Sequence, residues 1–282
     1  MYFKSTEGKA KILKLYNQKL LQLNIDYSEK QIATKFGNTN VIICGDTELP
    51  PLALIHGSGG CAPLILESFP SLSLKYCVYA IDVLAQPNKS DENQLDIKSL
   101  EYGEWLLEIF LKLRIKDVTL IGFSFGGLIS LKTLQFNETL IKEVFLIAPV
   151  YIVNGNPLIN LLKMFIPLKK FIKRGNKSDI TKVLKVLFSE YDDFAMEFLA
   201  TTFTNCNIDF SPLPVISGKS AQNIKTPITL IACENDIMFP GKKMIKRAKR
   251  IFPSVEKVIL LEKSKHVPSS TNFKKIEKLI LS

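Results

Sequence analysis

Val118-Thr119-Leu120-Ile121-Gly122-Phe123-Ser124-Phe125-Gly126 is the stretch on which the fold of this chain turns. Its first four residues are apolar or β-branched and make a buried strand, and residues 126–134 behind them have helical spacing. Between the two stands a GxSxG turn. There the chain passes from strand to helix so tightly that the serine takes a strained backbone conformation and its neighbours have no room for a Cβ. Glycine at 122 and 126 answers that demand, and Ser124 stands at the tip as a candidate nucleophile. An ordinary glycine-rich turn packing a helix on a strand is the alternative, and it asks no chemistry of Ser124.

On either side of this turn, strands and helices alternate. Upstream, residues 76–81 and 117–121 have strand composition and 100–113 a helical pattern; downstream, 143–147 is again a strand. Nearly all-apolar strands separated by helices predict a parallel sheet covered on both faces. Earlier in the chain, Ile12, Leu13, Tyr16, Leu20 and Leu23 mark an amphipathic helix, followed by short β-runs at 31–36, 41–44 and 52–55. Gly37-Asn38 predicts the hairpin turn between the first two. The rhythm fails between about 150 and 225, where Leu161, Leu162, Met164, Phe165, Phe171 and Ile172 form an apolar helical face among lysines. It resumes with 228–232, 242–251, 257–261 and 272–281. The expected organisation is an α/β core built from residues 1–150 and 221–282, with a helical cap inserted at 151–220.

Bulk properties narrow the classes of function. A chain of 282 residues, 46% hydrophobic, can bury a substantial core. Residues 1–14 are charged throughout and lack a signal-peptide pattern, and Lys, Glu or Asp breaks every apolar run short of the roughly 20 residues a membrane span needs. Neither export nor membrane insertion is expected. The five cysteines, 44, 61, 77, 206 and 233, are scattered without a CxxC pair, which argues against a disulfide framework or a metal site and for a reducing, cytoplasmic location. The net charge of +10 comes from lysine, with arginine only at 114, 174, 247 and 250. That composition fits a solvated surface and not a nucleic-acid face.

A serine hydroxyl needs a base, and the chain offers two histidines, His56 and His266. His266 lies in Ser264-Lys265-His266-Val267-Pro268, a loop after the last strand. Loops at the carboxyl ends of parallel strands gather on one edge, so His266 is placed to meet Ser124. The supporting acid belongs on another such loop. Asp236, in Glu234-Asn235-Asp236, gives the chain order Ser, Asp, His and lies farther into its loop than Glu234, the fallback. Asp82 has the character of a turn or capping residue. An oxyanion would be held by the amide of Phe125 and by one from His56-Gly57-Ser58-Gly59-Gly60, with Ser58 the choice and His56 a brace for that loop. This run lacks the GKS or GKT ending of a phosphate-binding loop. Gly57, Phe123, Met164 and Phe165 are candidates for a substrate pocket, each equally readable as plain packing.

These segments carry a resemblance. HGSGG (56–60), AIDVLAQPNKSD (80–91), GFSFGG (122–127), ACENDIMFP (232–240) and SKHVP (264–268) resemble the α/β-hydrolase superfamily over essentially the whole chain. More narrowly, FKSTEGKAKILKLYNQKLL (3–21), ATKFGNTNVIICG (33–45) and PPLALIHGSGG (50–60) are similar to a group of bacterial carboxylesterase-like α/β-hydrolases. The resemblance implies an eight-stranded, mostly parallel sheet flanked by helices, a helical cap after the sixth strand, no cofactor, and hydrolysis of a small-molecule carboxylic ester by Ser124, Asp236 and His266. Two positions depart from the pattern. Cys233 stands where the family's GxxD turn has glycine, and 82–90 replaces the family's DxxGxGxS run. Acyl transfer, thioester cleavage or carbon-carbon bond hydrolysis would use the same residues, and a non-catalytic binding protein could keep the fold.

Overall fold

The computed structural model describes residues 1–209 and 211–282. In chain order the elements begin with helix α1 (Thr6–Gln22), then β1 (Tyr27–Thr34), β2 (Gly37–Cys44), β3 (Pro51–Ile55), α2 (Ala62–Glu67), β4 (Cys77–Ile81), α3 (Glu101–Leu113), β5 (Val118–Phe123), α4 (Phe125–Phe136) and β6 (Ile141–Ile147). Helices α5 (Pro157–Asn160), α6 (Ile166–Arg174), α7 (Lys177–Leu187), α8 (Asp193–Asn205) and α9 (Gly218–Gln222) follow. A π-helical turn at Leu161–Phe165 joins α5 to α6. The chain ends with β7 (Ile228–Cys233), α10 (Gly241–Ile251), β8 (Val255–Leu261) and α11 (Ser270–Ile280).

Among the described residues the strands form one eight-stranded sheet in the order β1-β2-β4-β3-β5-β6-β7-β8. Strands β3 to β8 run parallel, and β2 is antiparallel to both its neighbours, so the sheet is mixed at one edge. The central strands are buried on both faces, which is why they are apolar at every position instead of at alternate ones. Period-two alternation persists underneath: Ala53 and Ile55 enter the layer formed with α3, α4 and α10, whereas Leu52 and Leu54 enter the layer formed with α1, α2 and α11.

The β1–β2 hairpin turns two residues earlier than Gly37-Asn38 predicts. Thr34 pairs with Gly37, so the two turn residues are Lys35 and Phe36. The Thr34 hydroxyl donates to the Gly37 carbonyl at 2.7 Å and accepts from the Phe36 amide at 3.2 Å, closing the turn in place of Gly37-Asn38. Gly37 and Asn38 instead open β2, where the Asn38 amide donates to the Asp91 carboxylate (2.7 Å) and the Asn38 carbonyl accepts from the Asp91 amide (2.9 Å).

Helices α5 to α9 occupy the connection between β6 and β7, which are neighbours in the sheet, so this stretch leaves the core and returns to it. Its two ends stay in the sheet's own core through Val150, Tyr151, Ile152, Val153 and Ile216. Its middle has a separate small cluster of Leu168, Phe171, Ile180, Val183 and Leu184.

Asp82, at the carboxyl end of β4, ties the N-terminal elements to the sheet. Fully buried, its carboxylate accepts from the Tyr16 hydroxyl (2.8 Å), the Asn40 side-chain amide (2.9 Å) and the Ala62 amide that begins α2 (2.7 Å). Burial raises its pKa to about 6 despite these three donors. Replacing Asp82 by Ala strands all three donors in the core. We expect a loss of roughly 3 kcal/mol or more in urea unfolding, with Asp82→Asn, which keeps an acceptor, losing less.

Candidate active site

Ser124 sits between β5 and α4 with φ 52° and ψ −110°, a region that L-residues rarely occupy. Two close approaches enforce it. A Cβ on Gly126 would collide with the Ile55 carbonyl, and one on Gly122 with the Ser130 hydroxyl and the Gly126 carbonyl. The turn is pinned by hydrogen bonds from the Ser124 amide to the Ile147 carbonyl (2.9 Å) and from the Gly127 and Val150 amides to the Ser124 carbonyl (2.9 and 3.0 Å).

The structure brings three of the residues singled out in the sequence into one line. His266 Nε2 lies 2.8 Å from Ser124 Oγ, and His266 Nδ1 lies 2.7 Å from Asp236 Oδ2. All three side chains are buried, Asp236 to 3% exposure. The other Asp236 oxygen, Oδ1, accepts from the amides of Met238 (2.8 Å) and Phe239 (3.0 Å), which fixes the carboxylate's plane. The imidazole is flanked by the rings of Phe123 and Phe239, with centroids 5.6 and 5.4 Å away. Glu234 is turned elsewhere, to the Lys242 ammonium (2.8 Å) and the Lys263 amide (3.0 Å).

The glycine-rich loop after β3 lies beside this line. A Cβ on Gly57 would come within 3.2 Å of Ser124 Cβ, so Gly57 lines the space in front of the hydroxyl. The loop closes as a turn, with the Gly60 amide on the Gly57 carbonyl (3.1 Å) and the Gly59 amide on Gln86 Oε1 (2.8 Å). Ser58 is its exposed tip. His56 does not join the line. Its Nδ1 donates to the Gly57 carbonyl (2.8 Å) and its Nε2 accepts from the Val83 amide (3.0 Å), a neutral tautomer bracing the loop. Phe125 begins α4, so its amide is one that the helix leaves without an internal acceptor. Its ring packs in the core edge-to-face on Tyr102, 5.3 Å between centroids. Met164, buried, and Phe165 lie in the π-helical turn that packs against α6 and α7.

Two contributors escape notice in the sequence. Gln86 lies in the run that departs from the family's DxxGxGxS pattern, where Ala85 adopts φ 51° in place of a glycine, and it carries the Gly59 amide. Ser189, in the stretch between α7 and α8, reaches across to the His266 loop. Its hydroxyl accepts from the Lys265 amide (2.9 Å) and donates to the Val267 carbonyl (2.8 Å), spanning the backbone on both sides of His266. The bridge is extended by the Ser189 amide on the Val267 carbonyl (3.0 Å) and the Val267 amide on the Leu187 carbonyl (2.8 Å). A lone serine among helical residues carries no sequence signal of such a contact.

A family model of the α/β hydrolase fold matches residues 50–184. The chain has the α/β-hydrolase fold. The uncharacterised carboxylesterase nap of Bacillus subtilis (strain 168) is 24% identical over 261 residues, which cover 87% of this chain and 83% of nap. The carboxylesterase YbfK of the same organism is 21% identical over 269 residues, 92% of this chain and 89% of YbfK. The crystal structure of naproxen esterase from Bacillus subtilis matches this chain with a TM-score of 0.85 at 21% identity, over 99% of this chain and 98% of that one.

Burial lowers the pKa of His56 to about 4, against about 6.5 for an exposed histidine. Between those values the unfolded chain takes up the proton before the folded one does, so acid selectively favours unfolding. Asp82, raised by burial to about 6, acts in the opposite sense, gaining stability as pH falls through 6. The His56 contribution is isolated by comparison with His56→Asn. The stability advantage of the wild type over that variant should narrow by about 3 kcal/mol between pH 7 and pH 4, as read from urea unfolding at both.

Proposed function

We propose that this protein is a serine hydrolase acting on carboxylic esters of small molecules, with Ser124 as nucleophile, His266 as general base and Asp236 as the acid that orients it. One observation carries the reading: the unbroken relay of 2.7 and 2.8 Å contacts from Asp236 through His266 to a serine held in a strained turn. The likeness to carboxylesterases nap and YbfK supports the choice of ester over other acyl bonds.

In the proposed reaction, the Asp236 carboxylate accepts from Nδ1–H of His266, which leaves the Nε2 lone pair directed at the Ser124 hydroxyl. Nε2 takes the proton as Oγ attacks the acyl carbonyl, and Asp236 stabilises the imidazolium that results. The oxyanion is held by the Phe125 amide and by the loop opposite. Of that loop's amides, those of Gly59 and Gly60 are committed to Gln86 and Gly57, so Ser58 is assigned the second donor. His266 then protonates the leaving alcohol, and water activated by the same Nε2 releases the acid from the acyl-enzyme. Gly57 and Phe123 wall the reacting centre, and the helical stretch 151–220 serves as a cap that contributes Met164 and Phe165 to the substrate pocket. The scheme requires no metal or cofactor.

A fluorophosphonate probe should label the wild type and leave Ser124→Ala unlabelled. Turnover of p-nitrophenyl esters should fall at least about 10⁴-fold in Ser124→Ala and roughly 10³- to 10⁴-fold in Asp236→Asn. Labelling of the alanine variant, or near-normal turnover by Asp236→Asn, overturns the assignment. Ser189→Ala should reduce kcat about 10-fold with KM little changed, because it loosens the base and not the pocket, and Ser189→Thr should restore much of the loss.

A further inference from the structure

The helical segment from Pro157 to Ser178 has a composition unlike the rest of the chain. It holds six cations, Lys163, Lys169, Lys170, Lys173, Arg174 and Lys177, and no Asp or Glu. Among the described residues none of the six is ion-paired. The segment's inward side is used by Met164, Leu168 and Phe171, which are buried, the last two in the small cluster with α7. Its outward side begins with an apolar group where a soluble helix would be polar: Leu158 is 62% exposed, Leu162 57%, Leu161 45% and Ile159 39%. Single exposed leucines need no explanation, but four within five residues, bordered only by positive charge, do.

Helix α10 supplies the contrast. It is as basic, with Lys242, Lys243, Lys246, Arg247, Lys249 and Arg250, yet its apolar residues turn inward: Met244, Ala248 and Ile251 are buried and Ile245 is partly buried against the core. Three of its cations are engaged within the protein, Lys242 with Glu234, Lys243 with the Asn154 carbonyl and Arg247 with the Ile216 carbonyl. The 157–178 segment joins cations without an ion-pair partner to a cluster of exposed apolar residues, the combination that lies in the plane of a membrane interface.

We propose that the outward face of residues 157–178 docks on an anionic lipid surface, Leu158, Leu161 and Leu162 entering the headgroup region and the lysines facing lipid phosphates. Among the described residues no helix is long and apolar enough to cross a membrane, so the mode is surface attachment. A second copy of the chain is a poor occupant, because it would set six cations against six. A protein groove that swallows a helix needs its whole apolar stripe, and here Leu168 and Phe171 are already committed inward. Nucleic acid leaves the leucines without a role.

The test is flotation of the full-length protein with vesicles of pure phosphatidylcholine and with vesicles containing about one-third phosphatidylglycerol, at low and high salt. Binding is expected to the anionic vesicles only and to weaken with salt. Combined Lys169→Gln, Lys170→Gln and Lys173→Gln should lower the partition coefficient by roughly 100-fold, about fivefold per cation. Combined Leu158→Ser, Leu161→Ser and Leu162→Ser should lower it by at least about tenfold. Both variants change exposed positions, and unchanged circular dichroism and p-nitrophenyl ester turnover show that the fold is kept. The proposal fails if the wild type does not float, or if the leucine variant binds as well as the wild type, which leaves charge adsorption alone. It also fails if the leucines instead prove to drive concentration-dependent self-association without vesicle binding.

Discussion

The backbone of Ser124 is the constraint from which the rest of this site follows. A serine at φ 52° and ψ −110° costs of order 1–3 kcal/mol, and it persists only where its surroundings leave no other path. Here those surroundings are the carbonyl of Ile55 against Gly126, the Ser130 hydroxyl against Gly122, and hydrogen bonds that hold the turn to β6 and to Val150. The gain from this strain is direction: Oγ projects off the sheet edge and meets His266 Nε2 at 2.8 Å.

The partners reach it because parallel strands deliver their following loops to one side. The loops after β3, β5, β7 and β8 carry Gly57, Ser124, Asp236 and His266 respectively. The loops of Asp236 and His266 are also fastened to each other, through the Asn235 amide on the Ser264 carbonyl at 2.8 Å. The His266 loop has a further attachment outside the sheet, where Ser189 grips the peptides flanking His266. The geometry of the imidazole is therefore shared between the core and the helical excursion.

Most of the architecture was legible in the sequence because it rests on local rules. Short apolar and β-branched runs such as 118–121 and 228–232 have the composition and length of strands buried on both faces, and the helices between them follow from their spacing. Ser124, Asp236 and His266 could be named because each follows a strand, and strand order alone places such residues on one edge. What stayed hidden depends on contacts between distant segments. The hairpin moved because the Thr34 hydroxyl, and not Asn38, closes the turn. The short helix α2 starts where Asp82, 20 residues away, receives the Ala62 amide. Gln86 and Ser189 matter only through what the fold sets beside them, and a residue type without its neighbour has no spacing to read.

The bridge between residues 187–189 and the loop of His266 bears on how such enzymes diversify. Exchanging the excursion between relatives is an obvious route to new specificity, since it joins adjacent strands and has its own small apolar cluster. In this chain that exchange is not modular. A graft cut at the strand ends would remove the hydroxyl that anchors the imidazole's loop, so a chimera must carry 187–189 as part of the recipient scaffold and recruit only the helices beyond it.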